Sequence, residues 1–401
     1  MQATIDARYN DGLLQCPLPM KQQPDVIVVG GGASGLMCAI SAGYRGLSVR
    51  VLEQGPKVGL KILVSGGGRC NFTNRLADPG EHFLSENPHF CISALKRYAP
   101  EDFIALVEAA GIDYHEKKRG QLFCDHSARE IVAMLLEHCD AAGVEIVLRQ
   151  RVTAIRAQEQ GGYLVETETG RHPASRVVLA SGGLSMPKIA SDLAFRFAKD
   201  QALDVVPPRP ALVPLTWKAD DRARFAALSG IALDAIVTVN GASFHENILF
   251  THRGLSGPAM LQASSYWREG DPVVINLLPG QDAVAWLRDA QQRNPRQQLS
   301  SLLKAALPRR LVEVLCMPWF DDDRLGSVPG RVLQTVGERL NGSQFLPKGT
   351  EGYRTAEVTL GGIATGEVSS RTFELKKLPG MHVIGEALDV TGWLGGYNFQ
   401  W

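Results

Sequence analysis

Three glycines in the stretch Gly30–Gly35 have the spacing G-x-G-x-x-G, which can hold the two phosphates of a dinucleotide. In such a site the first glycine makes a tight turn, the second lets backbone N–H groups reach the pyrophosphate, and the third lets a helix pack against a strand. Glu53 follows Gly35 by 18 residues, where a carboxylate can accept hydrogen bonds from an adenosine ribose. The pattern therefore predicts nucleotide binding rather than a purely structural turn.

Three further side chains have types that could take part in a reaction. Cys70 would be nucleophilic if Arg69 lowered the pKa of its thiol, or it could be a small residue packed near a ring. An imidazole works near neutral pH, so His252 could exchange protons, with a structural role as the alternative. Arg69 could hold a bound anion, or it could serve in a helix cap or a salt bridge.

Three more glycine-bearing stretches favour close approach of the backbone to a flat ligand. They are Lys61–Asn74 (KILVSGGGRCNFTN), Thr359–Glu367 and Gly385–Asn398. A flavin ring has acceptor atoms around its edge, which backbone N–H groups at glycines reach without obstruction by side chains. The pattern Gly-Glu-x-x-Asp that begins at Gly385 could add carboxylates near a ribityl chain. The loop at residues 61–74 is therefore predicted to surround a cofactor ring.

The composition of the chain limits the classes of function. Its 401 residues are 45% hydrophobic and contain 42 basic and 42 acidic residues, so no overall charge favours nucleic acid or an acidic membrane. No window has the roughly 18 apolar residues of a membrane span. Seven cysteines without a C-x-x-C pair, and nine scattered histidines, argue against a disulfide framework, a metal site and a dithiol reductase. We expect a cytoplasmic protein.

The order of the elements predicts a sheet around the first glycine turn. Apolar runs at 25–30 and 47–52 indicate parallel strands buried on both faces, with a helix over 36–45 between them. Apolar spacing favours helices through most of 92–143. Strands are then predicted at 144–148, 152–155, 163–167, 176–180, 231–239, 358–362 and 381–385. Pro207–Pro210 indicates a domain boundary, and 281–340 a helical insertion.

Six motifs together resemble those of the BaiN/RdsA-type flavoproteins, also described as aminoacetone-oxidase-like FAD-binding proteins. The motifs are VIVVGGGASGLMCAISA, KILVSGGGRCNFTN, ASGGLSMPK, LFTHRGLSGPA, VTLGGIATGEV and GEALDVTGWLGGYNFQW. The resemblance implies an α/β fold in which a discontinuous FAD-binding Rossmann domain of the glutathione-reductase type carries inserted β-barrel-like and helical domains. The implied division is a leader at 1–23, the FAD domain at 24–206 and 355–401, the β-barrel-like domain at 207–258 and 337–354, and the helical insertion at 259–336.

Carried over residue by residue, the resemblance implies four groups of contacts with FAD. The pyrophosphate and adenosine ribose would contact Gly30, Gly32, Ala33, Ser34, Gly35 and Glu53. The flavin would be lined by Lys61, Ser65, Gly66, Gly67, Arg69, Cys70 and Asn71. Adenine would meet the backbone of Val152, beside Ala180, Ser181 and Gly182. The ribityl and pyrimidine side would lie along Gly385, Glu386, Asp389, Gly395, Gly396, Tyr397 and Asn398.

The resemblance implies an FAD-dependent oxidoreductase that NAD(P)H reduces and that passes hydride to an unidentified substrate. The sequence has no second G-x-G-x-x-G unit, so a nicotinamide would have to enter the cleft that the substrate later uses. One branch of the family is linked to reduction of uridine in ribosomal RNA and others to small molecules. The partner is therefore a small-molecule substrate or RNA, for which Lys117–Arg119 could supply a local basic patch. A flavin-binding protein without catalysis is the third alternative, and the oligomeric state is left open.

The sequence departs from the family pattern at two places. After G-G-L-S-x-P-K the family often has a glycine-rich segment, whereas this chain has Ile189–Leu193, which puts substrate contacts from that loop in question. The family also continues beyond N-F-Q-W into a helix. We expect that helix to begin near Asn398, a suitable N-cap, and the 401 residues to be a C-terminally shortened form of a longer protein.

Overall fold

The computed structural model describes residues 23–401, so the leader predicted at 1–23 lies outside the described residues except for its last position. The chain forms two compact units. One consists of the residues before Pro210 together with Thr359–Trp401, and the other of Pro210–Val358. The finer division of the second unit into β-barrel-like and helical domains stays a prediction.

The helices and strands are named in chain order. The first segment of the first unit contains β1 (Val26–Val29), α1 (Ala33–Gly43), β2 (Val49–Leu52), α2 (Leu60–Val64), β3 (Asn71–Asn74), β4 (Phe83–Leu84), α3 (Ile92–Arg97), α4 (Pro100–Ala109), β5 (Tyr114–Glu116), β6 (Gln121–Cys124), α5 (Ala128–Ala141), β7 (Glu145–Val147), β8 (Val152–Ala157), β9 (Tyr163–Thr167), β10 (Arg171–Ala174), β11 (Arg176–Leu179) and α6 (Leu193–Asp200). The strand β12 (Val205–Ala211) crosses from the first unit into the second.

The second unit contains β13 (Leu215–Thr216), α7 (Ala219–Phe225), β14 (Ala232–Val239), β15 (Ala242–Phe250), β16 (Gly254–Ser256), α8 (Pro258–Ser264), β17 (Val273–Asn276), α9 (Ala283–Arg293), α10 (Leu299–Ala306), α11 (Arg309–Leu311), α12 (Gly330–Asn341), β18 (Ser343–Phe345) and β19 (Gly349–Thr350). The chain returns to the first unit through β20 (Val358–Ile363), β21 (Met381–Val383), β22 (Thr391–Gly392) and α13 (Tyr397–Gln400).

A parallel sheet of order β21-β11-β1-β2-β7 forms the centre of the first unit. All four residues of β1 are buried, and its side chains alternate between two sides of the sheet. Ile27 and Val29 join one apolar cluster, whereas Val26 and Val28 join another. Because the strands are parallel, their carboxyl ends share one edge, which is where such sheets bind ligands. The predicted Rossmann-type α/β fold is confirmed.

The segment 92–143 is mainly helical, as predicted, in α3, α4 and α5, but a β-hairpin that the sequence did not indicate interrupts it at residues 114–124. The strands β5 and β6 pair antiparallel, and β6 also pairs with β3. Arg119 and Gly120 in the connecting turn both have positive φ, at 50° and 75°. The strands have only three and four residues, too short for a period-2 pattern to stand out between two helical ones.

The prolines at 207–210 lie within β12, and the chain divides into its two units between Arg209 and Pro210, inside the predicted boundary segment. This strand pairs with β20 in a two-stranded sheet. Both strands are therefore edge strands, where a residue without an N–H group is tolerated.

The second unit is built on a largely antiparallel sheet of order β18-β17-β14-β15-β16-β13-β19. Its longest pairing joins β14 to β15, from Ala232 opposite Leu249 to Val239 opposite Ala242. The helices α9 and α12 pack closely, since a Cβ added to Gly337 would lie 2.6 Å from Val284. Within residues 23–401, no helix is long and apolar enough to cross a membrane.

Candidate cofactor site

The first glycine turn is closed towards the sheet and open at its tip. A Cβ on Gly30 would lie 2.4 Å from the carbonyl oxygen of Ala180, and a Cβ on Gly35 would lie 1.9 Å from that of Gly30. A Cβ on Gly32 would meet nothing within 4 Å. The helix α1 begins at Ala33 without a side-chain hydrogen bond from Gly32, so its positive end is not capped by a side chain. This cradle suits a pyrophosphate.

Glu53 is held at the end of β2 by backbone groups of the turn. Its Oε2 accepts a hydrogen bond from the N–H of Gly31 at 2.7 Å, and its Oε1 accepts one from Gly55 at 2.6 Å. A carboxylate has about four acceptor positions, so capacity remains for two ribose hydroxyls. The structure therefore places the predicted ribose acid beside the predicted phosphate turn.

We expect Glu53→Gln to weaken FAD binding by about 1–3 kcal/mol, or roughly 5- to 150-fold in Kd. The amide of glutamine has no charge, and its NH2 group would face one of the two backbone N–H groups that now donate hydrogen bonds to the carboxylate. Equilibrium dialysis of the apo-protein against FAD measures the change. Glu145→Gln is the matched control, because Glu145 is exposed on the neighbouring strand β7 and pairs with Arg50. Equal FAD affinity in both variants would remove Glu53 from the site.

A buried hydroxyl next to the turn fits a further contact with a dinucleotide. Ser181 Oγ is buried and has no hydrogen-bond partner among the described residues. Folded proteins rarely leave a buried polar atom without a hydrogen bond. The Cα of Ser181 would lie 3.2 Å from a Cβ on Gly30. A Cβ on Gly385 would meet Ser34 Oγ at 2.5 Å. Residues from three separate sequence motifs therefore meet around the start of α1, and these features fit a bound dinucleotide.

The predicted ring loop joins α2 to β3 through glycines in the left-handed conformation. Gly66 and Gly67 have φ values of 55° and 68°, which side chains rarely adopt. A Cβ on Gly66 would lie 2.9 Å from the ring of Phe123, whereas nothing lies within 4 Å of a Cβ on Gly67. One glycine therefore packs on the protein, and the next presents bare backbone in open space. We call residues 65–70 the glycine loop.

Lys61 and Glu386 lie 325 residues apart in sequence but form an ion pair. Lys61 Nζ donates hydrogen bonds to Glu386 Oε2 and to Ser185 Oγ, both at 2.7 Å. The side chains of Lys61 and Glu386 are 37% and 20% exposed, so the pair is partly accessible. A Cβ on Gly182 would lie 4.0 Å from Glu386 Oε2. Three of the predicted cofactor contacts are thus brought together, with Ser185 among them.

Sequence reasoning did not select Ser185 or Thr359 as site residues, although both lie in quoted motifs. Thr359 is 1% exposed, and its Oγ1 accepts hydrogen bonds from the N–H groups of Leu184 and Ser185 at 2.7 and 3.1 Å. Its own N–H donates to Glu386 Oε1 at 2.8 Å. Thr359 therefore fixes both partners of Lys61. A hydroxyl residue at a strand start carries no sequence signal for this role.

The two candidate reactive residues of the glycine loop differ in accessibility. Cys70 is 0% exposed in the apolar cluster that includes Phe72 and Leu122, and burial raises the pKa of its thiol far above the usual range. This geometry favours the packing alternative over a thiolate role. Arg69 is exposed, and its side chain makes no hydrogen bond or ion pair with residues 23–401. Its guanidinium remains available for an anion.

We expect Cys70→Ala to retain FAD and catalysis, with a loss of about 1 kcal/mol in the free energy of unfolding from the missing buried sulfur. Because burial raises the pKa of the thiol, Cys70 stays protonated from pH 7 to pH 9 and should resist iodoacetamide in the folded protein. Peptide mass mapping after alkylation measures this. Rapid labelling of Cys70, or a large loss of turnover in the alanine variant, would instead favour a thiolate role.

In the last motif, residues 385–401, two side chains that were predicted to contact the cofactor make structural contacts with the protein. Asp389 is 2% exposed, and its Oδ2 accepts hydrogen bonds from the N–H of Glu86 at 2.8 Å and from Ser85 Oγ at 3.3 Å. Burial raises the pKa of its carboxyl group. Tyr397 is buried, with its ring 4.8 Å from that of His82. Asp389 and Tyr397 thus anchor the segment.

The short helix α13 begins where it was expected, but its N-cap is Gly396 and not Asn398. Asn398 Nδ2 donates to the carbonyl of Gly392 at 2.8 Å, and its Oδ1 accepts from the N–H of the same residue. A Cβ on Gly396 would lie 2.9 Å from the side-chain amide of Asn71, and the carbonyl of Gly395 accepts a hydrogen bond from Asn74 Nδ2 at 2.9 Å. Gly395 and Gly396 therefore pass against β3, and Asn398 closes the preceding loop.

Two further predicted residues, Val152 and His252, belong to different units. Val152 is buried at the start of β8, near the ribose side, since the N–H of Gln150 donates to the carbonyl of Glu53 at 2.8 Å. His252 lies in the second unit, exposed in the turn between β15 and β16. In the loop where the family pattern is lost, Ile189 and Ala190 accept hydrogen bonds from Gln54 Nε2, so this loop is attached beside Glu53.

A family model described as the HI0933-like protein Rossmann domain matches residues 24–401. A protein named ribosomal RNA dihydrouridine synthase from Escherichia coli is 47% identical over 387 residues, 94% of each chain. Its namesake from Haemophilus influenzae is 44% identical over 95% of this chain and 96% of its own. A 3-dehydro-bile acid delta(4,6)-reductase from Clostridium scindens is 28% identical over 93% and 95%.

Proposed function

Because the chain belongs to the HI0933-like family of Rossmann-type flavoproteins, we propose that it is an FAD-dependent oxidoreductase that reduces uridine in ribosomal RNA to dihydrouridine. The observation that carries the proposal is the 47% identity to a ribosomal RNA dihydrouridine synthase over 94% of both chains. The site geometry supports it, since phosphate turn, ribose acid and glycine loop lie in one unit. Such a reaction belongs in the cytoplasm.

The named activities of the relatives share one kind of reaction. Dihydrouridine differs from uridine by saturation of a C=C bond that is conjugated with a carbonyl group. The bile-acid relative is named for reduction of a steroid that also carries ring double bonds. FAD, when bound, supplies the hydride for such reductions. A similar cofactor region with a different substrate pocket would account for two substrates of different size in one family.

The residues of this chain would bind and orient FAD and would neutralise the negative charge that develops during reduction. The turn at Gly30–Gly35 would hold the pyrophosphate with backbone N–H groups, and Glu53 would fix the adenosine ribose. The glycine loop would present backbone at Gly67 to the ring. Lys61, held by Glu386 and Ser185, would place a positive charge where electron density increases during reduction.

The reductant is proposed to be NAD(P)H, entering the same cleft as the substrate. The sequence contains one G-x-G-x-x-G turn, and that turn would be used by FAD. Reduction of the enzyme and reduction of the substrate would then occur in alternation, with one ligand leaving before the next binds. Ping-pong kinetics is the expected signature of such a shared cleft.

The test is a two-step assay on the purified holoenzyme. NADPH or NADH should bleach the visible absorbance band of the oxidised flavin. Ribosomal RNA from a strain that lacks the protein should then reoxidise the flavin and gain two mass units in one nuclease fragment. Transfer RNA serves as the control. If RNA neither reoxidises the flavin nor gains mass, while a steroid enone does, the small-molecule alternative replaces this proposal.

A further inference from the structure

Four basic residues meet at the turn of the β5–β6 hairpin. Lys117, Lys118 and Arg119 form the turn, and all three are exposed. Arg75 follows β3 and is exposed too. Its N–H donates a hydrogen bond to the carbonyl of Gly120 at 2.9 Å, which fixes it beside the turn. We call Arg75, Lys117, Lys118 and Arg119 the basic tip.

The basic tip is connected to the glycine loop through one aromatic ring. Lys117 Nζ lies 5.4 Å from the centroid of the Phe123 ring. A Cβ on Gly66 would lie 2.9 Å from an edge carbon of that ring. Phe123 is only 9% exposed, so it is a packed support and not a mobile side chain. The tip therefore lies on the same small sheet that supports the predicted ring loop.

This region concentrates positive charge in a chain that is neutral overall. Residues 64–76 and 114–121 contain five basic residues but one acidic residue, against 42 of each in the whole chain. The acid is Glu116, 3.9 Å from Arg75. Asp113 and Asp125 lie at the opposite, open end of the hairpin, as the register of β5 and β6 requires. The excess of positive charge is thus local to the turn.

An exposed apolar side chain adjoins the same charges. Leu76 is 60% exposed, one of the most exposed large apolar residues among those described. A Cβ on Gly120 would lie 2.9 Å from Leu76 Cγ, so Leu76 touches the turn directly. Proteins that bind single-stranded nucleic acids combine positive charges, which contact phosphates, with side chains, mostly aromatic, on which bases stack. At the basic tip the side chain beside the charges is the aliphatic Leu76.

We propose that the basic tip binds the sugar–phosphate backbone of the RNA substrate and thereby directs a uridine to the glycine loop. The inference rests on the proposed function and adds the contact surface to it. Arg75, Lys117, Lys118 and Arg119 neutralise phosphates, and Leu76 covers the face of a base. The binding is insensitive to base identity, so it sets affinity and position rather than sequence choice.

The experiment compares three holoenzymes that carry the same flavin. Lys117→Ala/Lys118→Ala removes two cations of the tip. Arg171→Ala/Lys199→Ala is the matched control, since Arg171 and Lys199 are exposed cations of the first unit on β10 and α6. Each protein is titrated with unmodified ribosomal RNA at 50 and 200 mM salt, and reduction of the flavin by NADPH is measured without RNA.

The RNA affinity of the wild type should fall as the salt concentration rises from 50 to 200 mM. In the tip variant the ratio of the affinity at 50 mM to that at 200 mM should be about tenfold smaller, roughly threefold for each lost phosphate contact. Its KM for RNA should rise while its kcat and its reduction by NADPH stay unchanged, and the control should match the wild type. A tip variant with wild-type salt dependence and KM overturns the inference. If the wild type itself does not modify RNA, the proposed function fails first, and that outcome is visible in the wild type alone.

Discussion

Gly35→Ala is expected to destabilise the apo-protein by at least about 3 kcal/mol, which lowers Tm by roughly 6–12 °C. The added Cβ would lie 1.9 Å from the carbonyl oxygen of Gly30, and that oxygen belongs to the backbone at the end of the central strand. Neither atom can rotate away, so α1 must shift from β1. FAD binding should be lost as well, because the shift displaces the helix N-terminus. Thermal unfolding with and without FAD measures both effects.

Gly32→Ala is the matched control, because it adds the same methyl group three residues earlier. Gly32 has φ −83°, which alanine adopts readily, and nothing lies within 4 Å of the new Cβ. The apo-protein should keep its Tm, whereas FAD affinity should fall by about 30-fold or more if the pyrophosphate approaches this backbone. Equal FAD affinity in wild type and Gly32→Ala would show that the phosphates lie elsewhere. A stable Gly35→Ala variant would contradict the described packing.

Lys61→Met is expected to reduce the rate of substrate reduction by about 100-fold while FAD remains bound. The ammonium group is fixed by Glu386 and Ser185 at 2.7 Å each, so its charge is positioned before the substrate arrives. Removing one preorganised donor of this kind costs on the order of 10²–10³ in rate. Stopped-flow reoxidation of the NADPH-reduced enzyme by RNA isolates the step from binding of the nicotinamide.

Two variants distinguish a charge effect from a loss of structure. Lys96→Met removes an exposed lysine of α3 and should leave the rate unchanged. Ser185→Ala removes one hydrogen-bond acceptor of Lys61 but keeps the ion pair, so the rate should fall by less than in Lys61→Met. A wild-type reoxidation rate in Lys61→Met would exclude the lysine from the chemical step and leave it as a bridge between α2 and the turn that follows β21.

Much of the first unit could be predicted from local sequence patterns. The apolar run before Gly30, the glycine spacing and the acid at Glu53 each reflect the immediate backbone requirements of a β-α-β turn. These requirements act over fewer than thirty residues, so the pattern is visible in the sequence alone. The glycine loop was recognised for the same reason, because Gly66 and Gly67 adopt conformations that other residues avoid.

The contacts that define the rest of the site depend on long-range packing. Lys61 meets Glu386 because two distant segments end at one edge of the parallel sheet, and Thr359 orients both partners from a third segment. No local pattern encodes such a meeting. The same holds for Cys70, whose neighbour Arg69 suggested an activated thiol, whereas the fold buries the sulfur in an apolar cluster and raises its pKa.

The sequence by itself determined the Rossmann turn, the acid that follows it and the glycine-rich segments, because backbone geometry restricts which residues can occupy those positions. Only the tertiary structure decided which side chains share a surface. It placed the hairpin at 114–124 against β3, exposed the basic tip beside the glycine loop, and set Gly396 rather than Asn398 at the start of α13. Those outcomes depend on burial and on the edges of packed sheets, and both are properties of the folded chain as a whole.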